Sequence, residues 1–147
     1  CIRDSWMCDH MKGVRTDTDL TPQVVNLAAN MSLITAIGND IGYDEIFAKQ
    51  IEWMNGVEGI ALAISSSGSS PNIVKGLKAA NEKGWSSIAI VGFDGGTIMK
   101  QNLADYILHI KSNNYGVVED CTQIIMHSIM QEIRRKFTEK DLSTLKL

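Results

Sequence analysis

A run of serine and glycine at residues 65–70, which we call the serine loop, separates an apolar segment from an amphipathic one. Small residues let an anion approach the unpaired N–H groups at a helix start, and hydroxyls donate further hydrogen bonds. A single N-cap, which we assign to Ser70 ahead of Pro71, would be enough to begin a helix. The surplus of hydroxyls indicates a phosphate cradle formed by Ser65, Ser66, Ser67 and Ser70.

A second set of reactive side chains lies near the end of the sequence. His127 follows Glu119 and Gln123 close to one face of a helix otherwise rich in Ile and Met. This pattern favours an acid–base role for His127 over that of a core histidine. A nucleotide ligand is disfavoured, because the serine loop lacks the lysine of a P-loop and GFDGG lacks GxGxxG spacing. A small phosphorylated molecule fits better.

Alternating apolar strands and amphipathic helices position these residues. We predict strands over 24–28, 59–64, 87–91 and 106–110, and helices over 2–13, 32–37, 43–54, 71–83, 97–103 and 117–137. Strands that are apolar on both faces belong to a buried parallel sheet. The expected fold class is α/β, a three-layer sandwich with a central parallel sheet flanked by helices. The serine loop then lies at the carboxyl end of a strand, where ligands bind in such sheets.

Composition narrows the function further. The 147 residues are 44% hydrophobic and 21% charged, which fits one globular domain. A net charge of −3 argues against binding nucleic acid, and no segment has the length of a membrane span. We therefore expect a cytoplasmic protein with reduced cysteines. Because the sequence opens at Cys1 already in helical periodicity, we expect the beginning of the domain to be missing.

Five stretches carry a resemblance to a known family. They are LITAIGNDIGYDEIF (33–47), ISSSGSSPNIVKGLKAA (64–80), VGFDGG (91–96), LADYILHI (103–110) and VVEDCTQIIMH (117–127). In this order they resemble the sugar isomerase (SIS) fold, which is flavodoxin-like, and within it the phosphoheptose isomerases. The resemblance implies a single SIS domain over 1–147 that lacks its N-terminal helix, first strand and GNGGS loop.

The resemblance also implies an activity. Phosphoheptose isomerases convert sedoheptulose 7-phosphate to D-glycero-D-manno-heptose 7-phosphate through an enediol, for lipopolysaccharide biosynthesis. The sugar phosphate would lie against Ser65, Ser66, Ser67 and Ser70, with Asn39 and Asp40 near the sugar hydroxyls. The expected assembly is a homotetramer with active sites at subunit interfaces.

The catalytic set differs from that of the family. His127 matches the family's histidine, Glu119 stands where the family has glutamine, and an ungapped placement from Gly13 puts His10 where it has its catalytic glutamate. We predict that His127, Glu119 and His10 supply the acid–base chemistry, with Glu119 also contacting substrate. The same three residues could bind the zinc that some relatives carry, although eight helical residues span about 12 Å.

The loss of the glutamate keeps a second function open. A non-catalytic SIS module would sense phosphosugars or act as a protein-binding scaffold, like relatives that associate with the replication initiator. The histidine at position 10 favours this alternative.

Overall fold

The computed structural model describes residues 2–16 and 18–138. They form two compact units: the sheet unit, residues 30–119, and the terminal unit, the described parts of 1–29 and 120–147. The elements in chain order are α1 (Ile2–Cys8), a π-helical turn (Asp9–Gly13), α2 (Met31–Asp40), a 3-10 turn (Tyr43–Glu45), α3 (Ala48–Trp53), β1 (Ile60–Ser65), α4 (Pro71–Glu82), β2 (Ser86–Val91), α5 (Gly96–Lys100), β3 (Tyr106–His109) and α6 (Tyr115–Phe137).

The sheet unit is built on three parallel strands in the order β1-β2-β3. Their short apolar sequences pair in register, so that Ala89 of β2 lies between Ala63 and Ile107 of its neighbours. Helix α4 packs against β1 and β2 through its apolar face. The core comprises Leu77, Ala89, Val91, Ile98 and Ala104. The α/β prediction, with a parallel sheet flanked by helices, is confirmed.

The chain leaves β1 through the serine loop and enters α4 at Pro71, as predicted. Ser70 occupies the N-cap position with extended backbone angles, but its hydroxyl makes no capping hydrogen bond. The assignment of Ser70 as the N-cap, ahead of Pro71 at the first helical position, is confirmed. The Ser70 carbonyl instead accepts the N–H groups of Ile73 and Val74. Its hydroxyl is not consumed in capping.

The predicted strand at 24–28 is wrong. These β-branched and apolar residues form irregular chain and a turn, and Val25 is 67% exposed. The cause is Asn26, whose side-chain oxygen accepts the N–H of Ala28 while its amide donates to Asp4. Such side-chain bonds to the local backbone compete with strand pairing.

Two predicted helices have different bounds. The helix expected over 43–54 is divided into the 3-10 turn and α3. The helix expected over 97–103 ends at Lys100, because Asn102 takes a positive φ of 49° that cannot continue a right-handed helix. The serine loop and the strands around it are unaffected.

The terminal unit pairs the first helix with the later part of α6. The helix predicted over 2–13 is present, but its last turn is π-helical, since the N–H of Val14 bonds to the Asp9 carbonyl five residues back. This turn lies against α6, where a side chain added at Gly13 would stand 3.3 Å from Met130 Sδ. None of the helices among the described residues is long and apolar enough to cross a membrane. The extent of a single domain over 1–147 stays a prediction.

Candidate active site

The serine loop is held in a fixed shape by its contacts with the turn after β2. The carbonyl of Gly68 accepts the N–H of Ile98 at 2.9 Å, and that of Ser66 accepts the N–H of Gly92 at 2.9 Å. Gly68 has a φ of +64°, and a Cβ atom there would collide with the carbonyl oxygen of Gly95. Only glycine fits this approach, so the two glycine-rich segments form one rigid surface.

Hydroxyls of the serine loop bind its own backbone. Ser65 Oγ accepts the N–H of Gly68 at 3.1 Å, and Ser67 Oγ accepts that of Ser69 at 3.3 Å. Ser69 Oγ accepts the N–H of Thr97 at 3.0 Å, a supporting role that the sequence did not indicate. Ser65 Oγ also donates to Ser70 Oγ, so the hydrogens that remain available to donate are those of Ser67 and Ser69.

A converging pair of hydroxyls lies at the entrance of α4. The Oγ atoms of Ser65 and Ser70 are 3.4 Å apart, at the carboxyl end of β1. α4 is twelve residues long, so its first turn presents the positive end of the helix dipole to this place. The arrangement can bind an anion with hydroxyl donors and a helix terminus. Its charge complementarity does not depend on a lysine or arginine.

Asn39 and Asp40 lie at the end of α2, where both are exposed. The amide of Asn39 donates to Asp40 Oδ1 at 2.8 Å. The two side chains therefore pair with each other. Their expected role beside the sugar hydroxyls stays a prediction.

His127 lies between two polar side chains of the terminal unit. Its Nδ1 is 2.6 Å from Oδ2 of Asp9, and its Nε2 is 2.9 Å from the amide nitrogen of Gln123, one helical turn earlier. The approach to Asp9 is not a linear hydrogen bond, because the buried Oδ2 receives no well-aligned donor. If Gln123 presents N–H to Nε2, that nitrogen is the acceptor and the ring hydrogen is on Nδ1, facing Asp9.

Asp9 and His127 line a cavity of about 440 Å³ within the terminal unit. Two cationic side chains, Lys12 and Arg134, line the same cavity, which is also bounded by Cys8, Gly13, Thr16, Met130 and Gln131. Lys12 is exposed and Arg134 is buried. A molecule in this cavity would lie next to an imidazole and a carboxylate.

His10 is placed differently from the expected catalytic residue. Its ring stacks on Trp6 with centroids 4.0 Å apart, and its Nδ1 lies 3.2 Å from the Trp6 carbonyl. The residue is 8% exposed and does not line the cavity. Burial lowers the pKa of His10 below its ordinary value, which the Trp6 carbonyl and Asp9 only partly oppose. These surroundings favour a neutral, packed ring.

The predicted metal set is not assembled in this structure. Across residues 2–16 and 18–138, no three side chains of His, Cys, Asp or Glu lie together in a way that could hold a metal ion. Glu119 is exposed on α6, and His10 is engaged with Trp6. As placed, the three residues do not fit zinc. Zinc binding through His10, Glu119 and His127 stays a prediction, and no step below uses a metal.

Asp9 is the functional candidate that sequence reasoning missed. The sequence comparison with the family was ungapped from Gly13, and it therefore matched His10 to the family's catalytic glutamate. The π-helical turn adds a residue to that last turn, so the side chain that reaches His127 is Asp9. The only indication in the sequence was that Asp9, a carboxylate, directly precedes His10, the position expected to be catalytic.

Known proteins with a similar sequence share one name. The phosphoheptose isomerase of Citrifermentans bemidjiense is 36% identical over 116 residues, covering 79% of this chain and 59% of the relative. The phosphoheptose isomerase of Helicobacter pylori is 32% identical over 117 residues, which cover 80% of this chain and 60% of that relative. The structure of a phosphoheptose isomerase from Francisella tularensis superposes with a TM-score of 0.81 at 27% identity, covering 91% of this chain and 70% of that one.

The resemblance to the phosphoheptose isomerases is confirmed. The chain spans about three fifths of the length of the curated relatives, by the 59% and 60% coverages. No protein-family model matches the sequence. The relationship to phosphoheptose isomerases therefore rests on these individual proteins and on the shared fold.

Proposed function

We propose that this chain is part of a phosphosugar isomerase that interconverts a ketose phosphate and an aldose phosphate. The proposed reaction is that of its phosphoheptose isomerase relatives, from sedoheptulose 7-phosphate to D-glycero-D-manno-heptose 7-phosphate. The observation that carries the proposal is the position of His127, beside a carboxylate on the wall of a cavity. Aldose–ketose isomerisation needs an acid and a base of this kind.

The serine loop would bind the phosphate group. The Ser67 hydroxyl accepts a backbone N–H group, so it can donate its hydrogen to a phosphate oxygen, and Ser65 would turn its hydrogen from Ser70 to the phosphate. Ser70 adds a hydroxyl that is not used for capping. Hydrogen bonds to a charged group are stronger than neutral ones, and the α4 terminus adds attraction. Ser66 is the fourth serine that we propose contacts the phosphate group.

His127 would move the proton between the two reacting carbons. As base, its Nε2 takes the proton from the carbon next to the carbonyl, and the carbonyl oxygen gains a proton from water, which gives an enediol. The imidazolium then returns its proton to the former carbonyl carbon, while the other enediol oxygen gives its hydrogen back to water as the new carbonyl forms. The Gln123 amide lies within hydrogen-bond distance of His127 Nε2 in this structure, so a bound substrate would have to displace that amide. The half-exposed ring allows this exchange.

The test is isomerisation by the protein that carries this chain, compared with a His127→Gln variant. We expect sedoheptulose 7-phosphate to acquire solvent deuterium at the carbon next to its carbonyl, detected by NMR. Loss of the imidazole should lower this rate by about 10²–10⁴-fold, the usual contribution of general acid–base catalysis. Calorimetric binding of inorganic phosphate should be unchanged.

Two results would reject the proposal. One is binding of the sugar phosphate without any deuterium exchange, which would favour the sensor or scaffold function instead. The other is a His127→Gln variant as active as the unchanged protein. The homotetramer, the cytoplasmic location and the exact heptose remain parts of the proposal.

A further inference from the structure

We infer that Asp9 is the positioning residue of His127: its carboxylate keeps the ring hydrogen on Nδ1 and leaves Nε2 free to accept a proton. The inference rests on the proposed function, and it assigns the carboxylate role to a residue other than His10 or Glu119. Asp9 acts through the imidazole.

The geometry of the pair carries this assignment. Oδ2 of Asp9 approaches Nδ1 of His127 to 2.6 Å. The Asp9 side chain is 17% exposed and that of His127 is 49% exposed. The carboxylate is therefore mostly shielded from solvent, whereas about half of the imidazole side chain is accessible. A carboxylate beside one ring nitrogen of a histidine fixes the tautomer of the ring and the direction in which the second ring nitrogen points. The exposed face of His127 therefore presents an acceptor.

The backbone holds Asp9 in this position independently of its side chain. The Asp9 carbonyl accepts the N–H of Val14 at 2.8 Å, which closes the π-helical turn. At the other end of that turn, Gly13 lies close to Met130, three residues after His127 on α6. The turn therefore contacts α6 at two points, and Asp9 occupies the one beside the histidine.

The buried Oδ2 atom has a further consequence. It is closed off from solvent and receives no well-aligned hydrogen bond in this arrangement. A buried carboxylate oxygen without a hydrogen bond is costly, and Nδ1–H of His127 is the donor within reach that can satisfy it. The ring is therefore drawn toward one orientation. His10 cannot do this, because its ring is stacked on Trp6.

The first experiment reads the tautomer directly and needs no activity. The ring nitrogens of His127 are followed by 15N NMR in the unchanged protein, in Asp9→Asn and in Asp19→Asn, at a pH where the titration curve shows a neutral ring. We expect hydrogen on Nδ1 in the unchanged protein, and a shift of the population toward Nε2 in Asp9→Asn. Asp19→Asn makes the same chemical change at an exposed position of the terminal unit and should leave the spectrum unaltered.

The second experiment is kinetic. Asp9→Asn should lower kcat by about 100-fold, within the range that acid–base catalysis supplies, and leave KM unchanged within about twofold. Asp19→Asn should retain full activity. Thermal unfolding of each variant shows whether it is folded before its kinetics are compared.

The outcomes separate this inference from the proposed function. If the unchanged protein has no isomerase activity, the proposed function fails, while the NMR result still decides the role of Asp9. If the protein is active but His127 carries its hydrogen on Nε2, or Asp9→Asn keeps its kcat, the inference is overturned and the function stands. A 100-fold loss in His10→Gln or Glu119→Gln, with Asp9→Asn unaffected, would likewise overturn it.

Discussion

The serine loop and the Asp9–His127 pair are built in opposite ways. The serine loop takes its five hydroxyls from six consecutive residues, and the turn at 92–97 supports them. Asp9 and His127 come from opposite ends of the described chain and meet only because the π-helical turn packs on α6. A local sequence pattern specifies the first region, whereas the second depends on a helix irregularity that no short pattern reveals.

The two regions also use different electrostatics. The serine loop offers neutral hydroxyls and a helix terminus, while the cavity at His127 combines an acidic side chain with Lys12 and Arg134. Neutral donors bind a phosphate without bringing a titrating group close to it. The proton transfer proposed at His127 requires such groups. We therefore propose anion binding in one region and proton transfer in the other.

The largest effect on stability should come from removing the glycine on which the serine loop depends. Gly68→Ala forces a side chain into the carbonyl of Gly95 at a φ of +64°. We expect the free energy of unfolding to fall by about 3 kcal/mol or more, from backbone strain and the collision together. Chemical denaturation measures this change.

Gly84→Ala is the matched control for that prediction. Gly84 also has a positive φ, +73°, but a Cβ atom there would meet nothing within 4 Å. It should cost only about 1 kcal/mol, the strain of the left-handed conformation alone. Equal losses in the two variants would mean that the contact between residues 68 and 95 does not hold the serine loop.

A smaller effect is expected when one hydroxyl is removed from the serine loop. Ser67→Ala should weaken binding of inorganic phosphate by about 10- to 150-fold, since a hydrogen bond to a charged group contributes roughly 1.5–3 kcal/mol. Ser128→Ala is the control, because that hydroxyl bonds to the Ile124 carbonyl on the exposed side of α6. Calorimetry measures both affinities. Unchanged phosphate binding by Ser67→Ala would remove this residue from the anion site.

The sequence predicted the sheet unit better than the terminal unit. β1, β2 and α4 follow from apolar runs and helical periodicity, which short-range packing obeys. The strand at 24–28 failed because Asn26 bonds to its own backbone, a competition that composition does not show. The serine loop was predictable as a local feature, and its proposed ligand remains to be tested. Asp9 was missed because its role depends on a π-helical turn.

The smallest predicted effect concerns His10. Its folded-state pKa lies below the ordinary value because the ring is buried. Above that ordinary value His10 is neutral in both states. As the pH falls below it, the unfolded chain gains a proton that the folded ring resists, so stability decreases. We expect the free energy of unfolding to fall more steeply between about pH 7.5 and about pH 5.5 in the unchanged protein than in His10→Gln. Parallel curves would contradict a buried, neutral His10.

A crystal structure of the His127→Gln variant with sedoheptulose 7-phosphate tests most directly whether the serine loop binds the phosphate group. We expect the phosphate group at the start of α4, within hydrogen-bond distance of the hydroxyls of Ser65, Ser67 and Ser70. A phosphate bound instead beside Lys12 and Arg134, with the serine loop making no contact to it, would rule out the serine loop as the phosphate site.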